Sequence, residues 1–277
     1  MCLVAIITII LLRNNMNEEI QISSVMLCFN RLALSKKCLG SYLKTITVPH
    51  ELVIVDNAST DSTREWLEDV KKDTRIREVI HMEKNDPASA LNSALALCTG
   101  RYLHVMENDY IYRDGWAEYV LNCFNKIPDL GQLCVCPGPP RLIGAHHMDL
   151  VYLSLGNVVS RSVFRRDLFF VRRIRWQNIH KGFMPDDEGF SEAVKKAGLL
   201  VAWPDKEIAE AVGFSREEFR RDPDYYIRNY KQKLHNSLSS LSIMKEVMRF
   251  RIDPGLKEAL ERLLMLYWIK AKKHYLP

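Results

Sequence analysis

Short apolar runs alternate with amphipathic segments through the first half of the chain. Each run has the length of a buried β-strand, and each segment between two runs repeats apolar side chains at helical spacing. The first three predicted strands cover residues 20–29, 51–55 and 77–82, and the fourth is a run that starts at residue 102 and ends in the acids Glu107 and Asp109. Strands that alternate with helices in this way are typical of a mostly parallel sheet flanked by helices, so the pattern predicts an α/β fold.

Residue types that favour helix ends bound the three helices predicted between these strands. They are Ser35 at the start of the first helix, Ser62 with Glu65 at the start of the second, and Asp86, Pro87 and Gly100 around the third. The spacing of these residues therefore predicts where each helix begins or ends.

Polar clusters follow three of the predicted strands directly. They are Asn30–Arg31, Asp56–Asn57 and Glu107–Asp109. The carboxyl ends of parallel strands meet at one edge of a sheet, and ligands of such sheets bind beyond that edge. The sequence therefore predicts that the three clusters form one site.

Glu107 and Asp109 are the candidate metal ligands. On extended backbone, residues two apart point to the same side, so both acids would leave the strand end together and Asn108 would face away. Carboxylate oxygens suit Mg²⁺ or Mn²⁺, especially when a diphosphate supplies further oxygens. The alternative is a polar loop that merely follows a strand.

The second half of the chain carries another acidic pair, Asp186–Asp187, at the start of a predicted helix that Gly198 closes. Both acids would project over the buried face of that helix, which makes them candidates for acid–base chemistry. The alternative is a helix cap or a partner of the helix dipole. Residues 137–156 lack periodicity, and 157–160 and 199–203 are predicted strands.

We expect three parts in this chain: an apolar segment over residues 1–16 whose role is open, a sheet domain over 17–210, and a helical extension over 211–277. The segment could touch a membrane, add a strand or result from a wrong start of the sequence.

The net charge of +5 is too weak to indicate nucleic-acid binding. Seven cysteines, an odd number, favour a reduced cytosolic protein over a disulfide scaffold. We expect the protein to be free in the cytoplasm or bound peripherally to the cytoplasmic face of the membrane.

The chain resembles the family-2 glycosyltransferases of the GT-A fold over about residues 21–204. The most specific match is residues 51–63, which are close to the second-strand signature of that family. Residues 25–31 resemble its first strand, and residues 90–102 resemble the helix and glycine that precede its metal motif. Glu107-Asn108-Asp109 occupies the D-x-D position, and Asp186–Asp187 resembles the pair that carries the catalytic base.

The resemblance implies an inverting transfer of a sugar from a nucleotide-diphosphate sugar, most often a UDP-sugar. The acceptor would be a hydroxyl of a glycan, a lipid-linked molecule or a protein. Glu107 and Asp109 would hold Mn²⁺ or Mg²⁺. Asp186 and Asp187 would be the catalytic pair, with Asp187 as the general base. Donor-binding roles are carried over to Cys28, Asn30, Arg31, Asp56, Asn57, Asn92 and Asn108.

Two departures from the family pattern motivate a second hypothesis. The first acid of the metal motif is Glu107 rather than Asp, and residues 209–215 lack the His that many relatives place after the last strand. A catalytically silent nucleotide-sugar-binding or scaffold protein of the same fold is therefore the main alternative. A nucleotidyltransferase on a similar sheet ranks last. That class would have a glycine-rich, basic loop after the first strand, and residues 30–34 contain no glycine.

Overall fold

The computed structural model of this chain describes residues 19–135, 146–153, 161–179, 184–213 and 216–221. The apolar segment 1–16, the predicted strand 157–160 and almost all of the predicted helical extension lie outside these residues. The chain divides after Glu210 into two units, of which the first carries the elements discussed below.

The helices and strands of the described residues follow one another as β1 (Ile22–Cys28), α1 (Leu32–Thr45), β2 (His50–Asp56), α2 (Thr63–Val70), β3 (Ile76–His81), α3 (Pro87–Leu95), β4 (Tyr102–Glu107), β5 (Tyr110–Tyr112), α4 (Trp116–Lys126) and β6 (Leu130–Cys134). They continue as β7 (His146–Met148), β8 (Val151–Leu153), β9 (Ser162–Arg165), α5 (Arg166–Phe170), β10 (Asn178–Ile179), β11 (Met184–Pro185), α6 (Asp187–Lys196), β12 (Leu200–Pro204), β13 (Ala209–Ala211) and α7 (Arg216–Arg221).

The main sheet has nine strands in the order β3-β2-β1-β4-β9-β6-β12-β8-β7. Strands β1 to β4 pair in parallel, which confirms the predicted α/β architecture. Strand β9 runs antiparallel between β4 and β6. It lies inside the basic stretch 161–175, where the sequence pattern indicated no strand. The central strands are almost wholly buried, as expected when helices cover both faces.

The predicted start of the first helix at Ser35 is wrong, whereas Ser62 is the N-cap of α2 as predicted but lacks the expected side-chain bond. Helix α1 begins at Leu32, after Arg31 in a left-handed conformation with φ 64°, and Ser35 lies inside the helix. The side chain of Ser62 makes no capping hydrogen bond. Asp61 instead accepts a hydrogen bond from the Thr63 N–H at 3.0 Å.

The predicted start of α3 and the predicted end of α6 are confirmed, whereas Gly100 does not cap α3. Asp86 caps α3 by accepting from the Ser89 N–H at 3.1 Å, and Pro87 is the first helical residue. Gly198 closes α6 with φ +79°. Gly100 is not a left-handed cap. It allows close approach of two strands, because a Cβ there would lie 2.6 Å from Ser23 Oγ.

The structure shows the state of the described cysteines and the character of the described helices. All five cysteines of this part of the chain are buried, and none forms a disulfide there. Among the same residues, no helix combines the length and apolar character that crossing a membrane requires.

Candidate functional site

The three polar clusters predicted from the sequence meet at the carboxyl edge of the sheet. Strand β1 lies between β2 and β4, with Cys28 in register with Asp56 and Leu27 in register with Glu107. The loops that follow these three strands are therefore neighbours, as the pattern predicted.

Asn30 holds the loop after β2 against the end of β1. Its N–H donates to Ser59 Oγ at 2.8 Å, and its side-chain carbonyl accepts from the Thr60 N–H at 2.7 Å. Asp56 supports the same loop by accepting from the Ser59 N–H at 3.0 Å. Asn30 and Ala58 both have left-handed backbones, with φ 54° and 64°, which lets the two loops interlock.

Two of the predicted donor-binding side chains lie below the surface of this edge. Cys28 and Asp56 are fully buried. Burial is the main cause that raises the pKa of the Cys28 thiol well above its usual value. Asp56 lies 3.3 Å from His81 Nδ1 and 3.8 Å from Arg64 Nε. These two residues can therefore shape a ligand site through the loops above them.

Asn108 ties β4 to β1 and does not face away from the site. Strand β4 ends at Glu107, so the strict alternation of extended backbone no longer applies to the next two residues. The Asn108 amide donates to the Asn30 carbonyl at 2.9 Å and to Ser35 Oγ at 2.8 Å.

Asp109 forms a buried ion pair with Arg31. Arg31 Nη1 lies 3.0 Å from Asp109 Oδ2, and the two side chains are only 8% and 4% exposed. Among the described residues, the other carboxylate oxygen of Asp109 is buried without a hydrogen-bond partner. Such an oxygen is costly to bury and is suited to receive a ligand.

Glu107 forms a second ion pair, with a residue that sequence reasoning missed. Arg161 Nε and Nη2 donate to Glu107 Oε2 at 2.8 and 2.6 Å, and its guanidinium lies over the ring of Tyr110. Arg161 precedes β9, whose antiparallel position beside β4 brings it to this edge. The run of arginines after residue 160 was the available signal.

The donor set fits a divalent cation in part. Two carboxylates provide hard oxygen ligands, and the buried oxygen of Asp109 lacks a hydrogen bond. Within the residues that the structure describes, no group of three His, Cys, Asp or Glu side chains converges as a complete metal site. A cation here would need further oxygens from its ligand or from water.

A chain of amide contacts leads from the end of β2 to the start of α6. Asn57 Nδ2 donates to Asn85 Oδ1 at 2.7 Å, and Asn57 Oδ1 accepts from the Asp86 N–H at 2.8 Å. Asn178 Nδ2 then donates to Asp86 Oδ1 at 2.7 Å. These contacts hold the strand pair β10–β11, which leads into α6, beside the loop that follows β3.

Asn92 belongs to this same scaffold. Its side-chain amide donates to the Trp176 carbonyl at 2.9 Å and accepts from the Trp176 N–H at 3.1 Å. Trp176 stacks on Phe190 of α6, with ring centroids 3.7 Å apart. Asn92 thus positions α6, and its amide is committed to the backbone of Trp176.

The two acids at the start of α6 have different surroundings. Asp186 is the N-cap, and its side chain accepts from the Gly189 N–H at 2.8 Å. Asp187 is the first helical residue and is half-buried. The cap therefore uses Asp186 and fixes the backbone from which Asp187 projects.

Comparison with known families identifies the class to which this site and fold belong. The model described as Glycosyl transferase family 2 matches residues 23–186, which is more than half of the chain. The chain therefore belongs to glycosyl transferase family 2.

Two curated relatives share parts of this domain. Poly-beta-1,6-N-acetyl-D-glucosamine synthase of Staphylococcus epidermidis is 27% identical over 121 residues, which are 44% of this chain and 29% of that protein. A putative teichuronic acid biosynthesis glycosyltransferase, TuaG of Bacillus subtilis, is 44% identical over 73 residues, which are 25% of this chain and 27% of that protein. The chain thus spans less than a third of the length of these relatives.

Two solved structures share the fold. S. aureus TarS in complex with UDP-GlcNAc superposes with a TM-score of 0.60 at 15% identity, over 89% of this chain and 70% of that chain. The mannosyltransferase PcManGT from Pyrobaculum calidifontis, in complex with GDP-Man and Mn²⁺, gives 0.57 at 16% identity, over 91% and 72%. The architecture is accordingly that of the GT-A glycosyltransferases.

Proposed function

We propose that this protein transfers a sugar from a nucleotide-diphosphate sugar to an acceptor hydroxyl, with inversion at the anomeric carbon. The observation that carries the proposal is the convergence of Asn30, Arg31, Asn108 and Asp109 at the carboxyl edge of the sheet in a family-2 chain. The alternative, a silent binder of the same fold, would keep this site without turnover.

The donor would bind over the loops that follow β1 and β2. Asn30 and Asp56 hold the loop of residues 58–61 in place, so they would set the floor of the nucleoside site. We favour a uracil base because TarS, which shares the fold, was solved with UDP-GlcNAc. PcManGT carries GDP-Man, so a guanine base is the competing choice.

Asp109, together with Glu107, would hold Mn²⁺ or Mg²⁺ with the diphosphate. The cation would act as a Lewis acid that stabilises the charge on the leaving nucleoside diphosphate. The Mn²⁺ in PcManGT supports a divalent cation in this fold. Arg31 and Arg161 add positive charge at the same edge, where guanidinium groups can bind phosphate oxygens.

Asp187 would remove the proton from the acceptor hydroxyl as that oxygen attacks the anomeric carbon. A carboxylate can act as this base when it lies within hydrogen-bond reach of the hydroxyl. Asp186 is engaged with the Gly189 N–H, so we assign it the supporting role of fixing the start of α6. Attack from the face opposite the leaving group would invert the configuration.

The acceptor class that we propose is a cell-surface glycan, a lipid-linked precursor or a protein. One curated relative described above is named as a synthase of poly-beta-1,6-N-acetyl-D-glucosamine and the other as a putative teichuronic acid biosynthesis glycosyltransferase, which supports a glycan acceptor. We place the protein in the cytoplasm or on the cytoplasmic face of the membrane, where nucleotide sugars are the available donors.

A two-stage experiment tests this function. First, thermal stabilisation is measured with UDP, GDP, ADP, CDP and dTDP, with Mn²⁺, with Mg²⁺ and with chelator, because a ligand of the folded state raises its stability. The stabilising nucleotide then defines the sugar donors for an assay of nucleoside diphosphate release. We expect UDP to stabilise the protein and UDP-sugars to release UDP in the presence of metal.

Two results would count against the proposal in different ways. Stabilisation by a nucleotide without release from any of its sugars, in the presence of membrane and glycan extracts as acceptors, would favour the silent binder. No stabilisation by any nucleoside diphosphate would remove the function and leave only the fold.

A further inference from the structure

Both acids of the 107–109 motif are already neutralised by arginines. Arg31 pairs with Asp109, and Arg161 pairs with Glu107. Two guanidinium groups therefore lie where the proposed function needs a divalent cation. A cation that binds the buried oxygen of Asp109 would stand close to a like charge held on the other oxygen of the same carboxylate.

The two ion pairs differ in how far their side chains are exposed to water. The side chains of Arg161 and Glu107 are 16% and 28% exposed, so water screens that pair in part. The side chains of Arg31 and Asp109 are only 8% and 4% exposed. Breaking a buried pair leaves an uncompensated charge, which is strongly unfavourable unless another partner replaces the lost one.

The backbone of Arg31 is fixed, so only its side chain can change partner. Arg31 lies in the left-handed region at the N-cap of α1, and its carbonyl accepts from the N–H groups of Leu34 and Ser35 at 2.9 and 3.0 Å. The guanidinium therefore stays near Asp109 at the carboxyl edge of the sheet, and the diphosphate of a donor bound there would supply the replacement anion.

We propose that Arg31 couples cation binding to diphosphate binding. It opposes a cation at Asp109 while the site is free of nucleotide, and it releases Asp109 when a nucleoside diphosphate offers its guanidinium another anion. This inference rests on the proposed function, because it takes the diphosphate as the anion. Its consequence is that metal alone binds weakly and that metal and nucleotide bind cooperatively, each raising the affinity of the other by the same factor.

The test is a titration of Mn²⁺ followed by the electron paramagnetic resonance signal of the free ion, with and without UDP. The proteins are the natural chain, Arg31→Met, Asp109→Asn and Arg113→Met. Arg113 is the matched control, because it is half-exposed and pairs with Glu207 away from the site. Its replacement removes the same charge from the protein without touching Asp109.

We expect Arg31→Met to bind Mn²⁺ without nucleotide at least about fivefold more tightly than the natural chain, which is the lower range of ordinary coupling effects. Arg113→Met should match the natural chain, and Asp109→Asn should lose the binding. UDP should tighten Mn²⁺ binding at least about tenfold in the natural chain and by a much smaller factor in Arg31→Met.

An Arg31→Met protein that binds Mn²⁺ no more tightly than the natural chain, or that keeps the full effect of UDP, would overturn the inference. If Arg31→Met does not fold, Arg31→Gln serves instead, because its amide can still donate to Asp109 without a charge. UDP binding that is equal in chelator, with no Mn²⁺ bound to any variant, would overturn the coupling and leave donor binding intact. Loss of UDP binding altogether would mean that the proposed function itself has failed.

Discussion

The side-chain amide of Asn108 donates to the backbone carbonyl of Asn30 at 2.9 Å, across 78 positions of the sequence. The same amide donates to Ser35 Oγ inside α1. One side chain thus fixes the distance between the loop that follows β1 and the turn that carries Asp109. The geometry of the proposed donor site depends on this bridge.

Replacing Asn108 by Ala should weaken nucleotide binding and destabilise the protein. The change leaves the part-buried Asn30 carbonyl and the buried Ser35 hydroxyl without this donor, which costs about 1–3 kcal/mol in the free energy of unfolding. Urea unfolding and UDP titration would measure the two effects. Asn122→Ala, on the exposed side of α4, is the control and should change neither quantity. An unchanged UDP affinity in Asn108→Ala would mean that the bridge does not shape the donor site.

The sequence predicted which residues approach this edge better than it predicted what they contact. Alternation of apolar runs and polar ends placed Asn30, Asp56 and Asp109 at the carboxyl edge, because the parallel strands of a βα repeat all end at the same edge of the sheet. The partner of Glu107 did not follow. Arg161 reaches it across 54 positions of the sequence through an antiparallel strand, and no local pattern encodes that pairing.

Helix ends show the same limit on a smaller scale. Ser62 has the residue type and spacing of a cap, but its side chain makes no capping bond and Asp61 binds the Thr63 N–H instead. Asp61 also accepts from the Leu32 N–H at 3.2 Å, so a contact between two loops competes with the local motif. Tertiary contacts of this kind decide the choice between neighbouring capping residues.

Separate substitutions of the two acids at the start of α6 should distinguish their roles. Asp187→Asn should lower sugar transfer by at least about a thousandfold, because the proposed base is lost, while UDP affinity stays the same. Asp186→Asn keeps a good N-cap residue and should retain most of the activity. Steady-state rates and UDP titration of both variants make the comparison. Equal losses in both, or full activity in Asp187→Asn, would contradict the assignment.

The buried imidazole of His104 should make the protein sensitive to acid. Ser24 Oγ lies 3.0 Å from its Nδ1 and Tyr112 OH lies 3.1 Å from its Nε2, and burial lowers the pKa of His104 to about 3. The ordinary pKa of histidine is about 6.5, so between these values the unfolded chain takes up a proton that the folded chain refuses. This residue should therefore lower the free energy of unfolding by about 1.4 kcal/mol for each pH unit below about 6.5.

Urea unfolding between pH 7 and pH 4 tests the effect of His104. His104→Gln should show a shallower loss of stability with falling pH, although it should be less stable at pH 7. His146→Gln is the control, because His146 is exposed, and its profile should follow that of the natural chain. A slope in His104→Gln equal to that of the natural chain would show that other groups cause the acid sensitivity.

Two glycines provide a test of packing that does not depend on function. A Cβ on Gly100 would lie 2.6 Å from Ser23 Oγ and 2.8 Å from the Ser23 backbone N, so Gly100→Ala should cost about 1–3 kcal/mol of stability. A Cβ on Gly40, inside α1, would meet nothing within 4 Å. Gly40→Ala should therefore stabilise the protein by about 0.5–1 kcal/mol. Thermal unfolding of both variants measures the difference, and the same sign for both would contradict this view of the two sites.

The central claim is that the edge carrying Asp109 binds the diphosphate of a nucleotide donor with a divalent cation. Isothermal titration calorimetry tests this claim most directly. It would measure the affinity for UDP in the presence of Mn²⁺, for the natural chain and for Asp109→Asn. The substitution keeps the shape of the side chain and an acceptor for Arg31, so folding should survive. We predict that UDP binds the natural chain and that Asp109→Asn weakens it at least about tenfold, or about 1.4 kcal/mol. Equal affinity in the two proteins, or no binding of UDP or GDP to either, would contradict the claim.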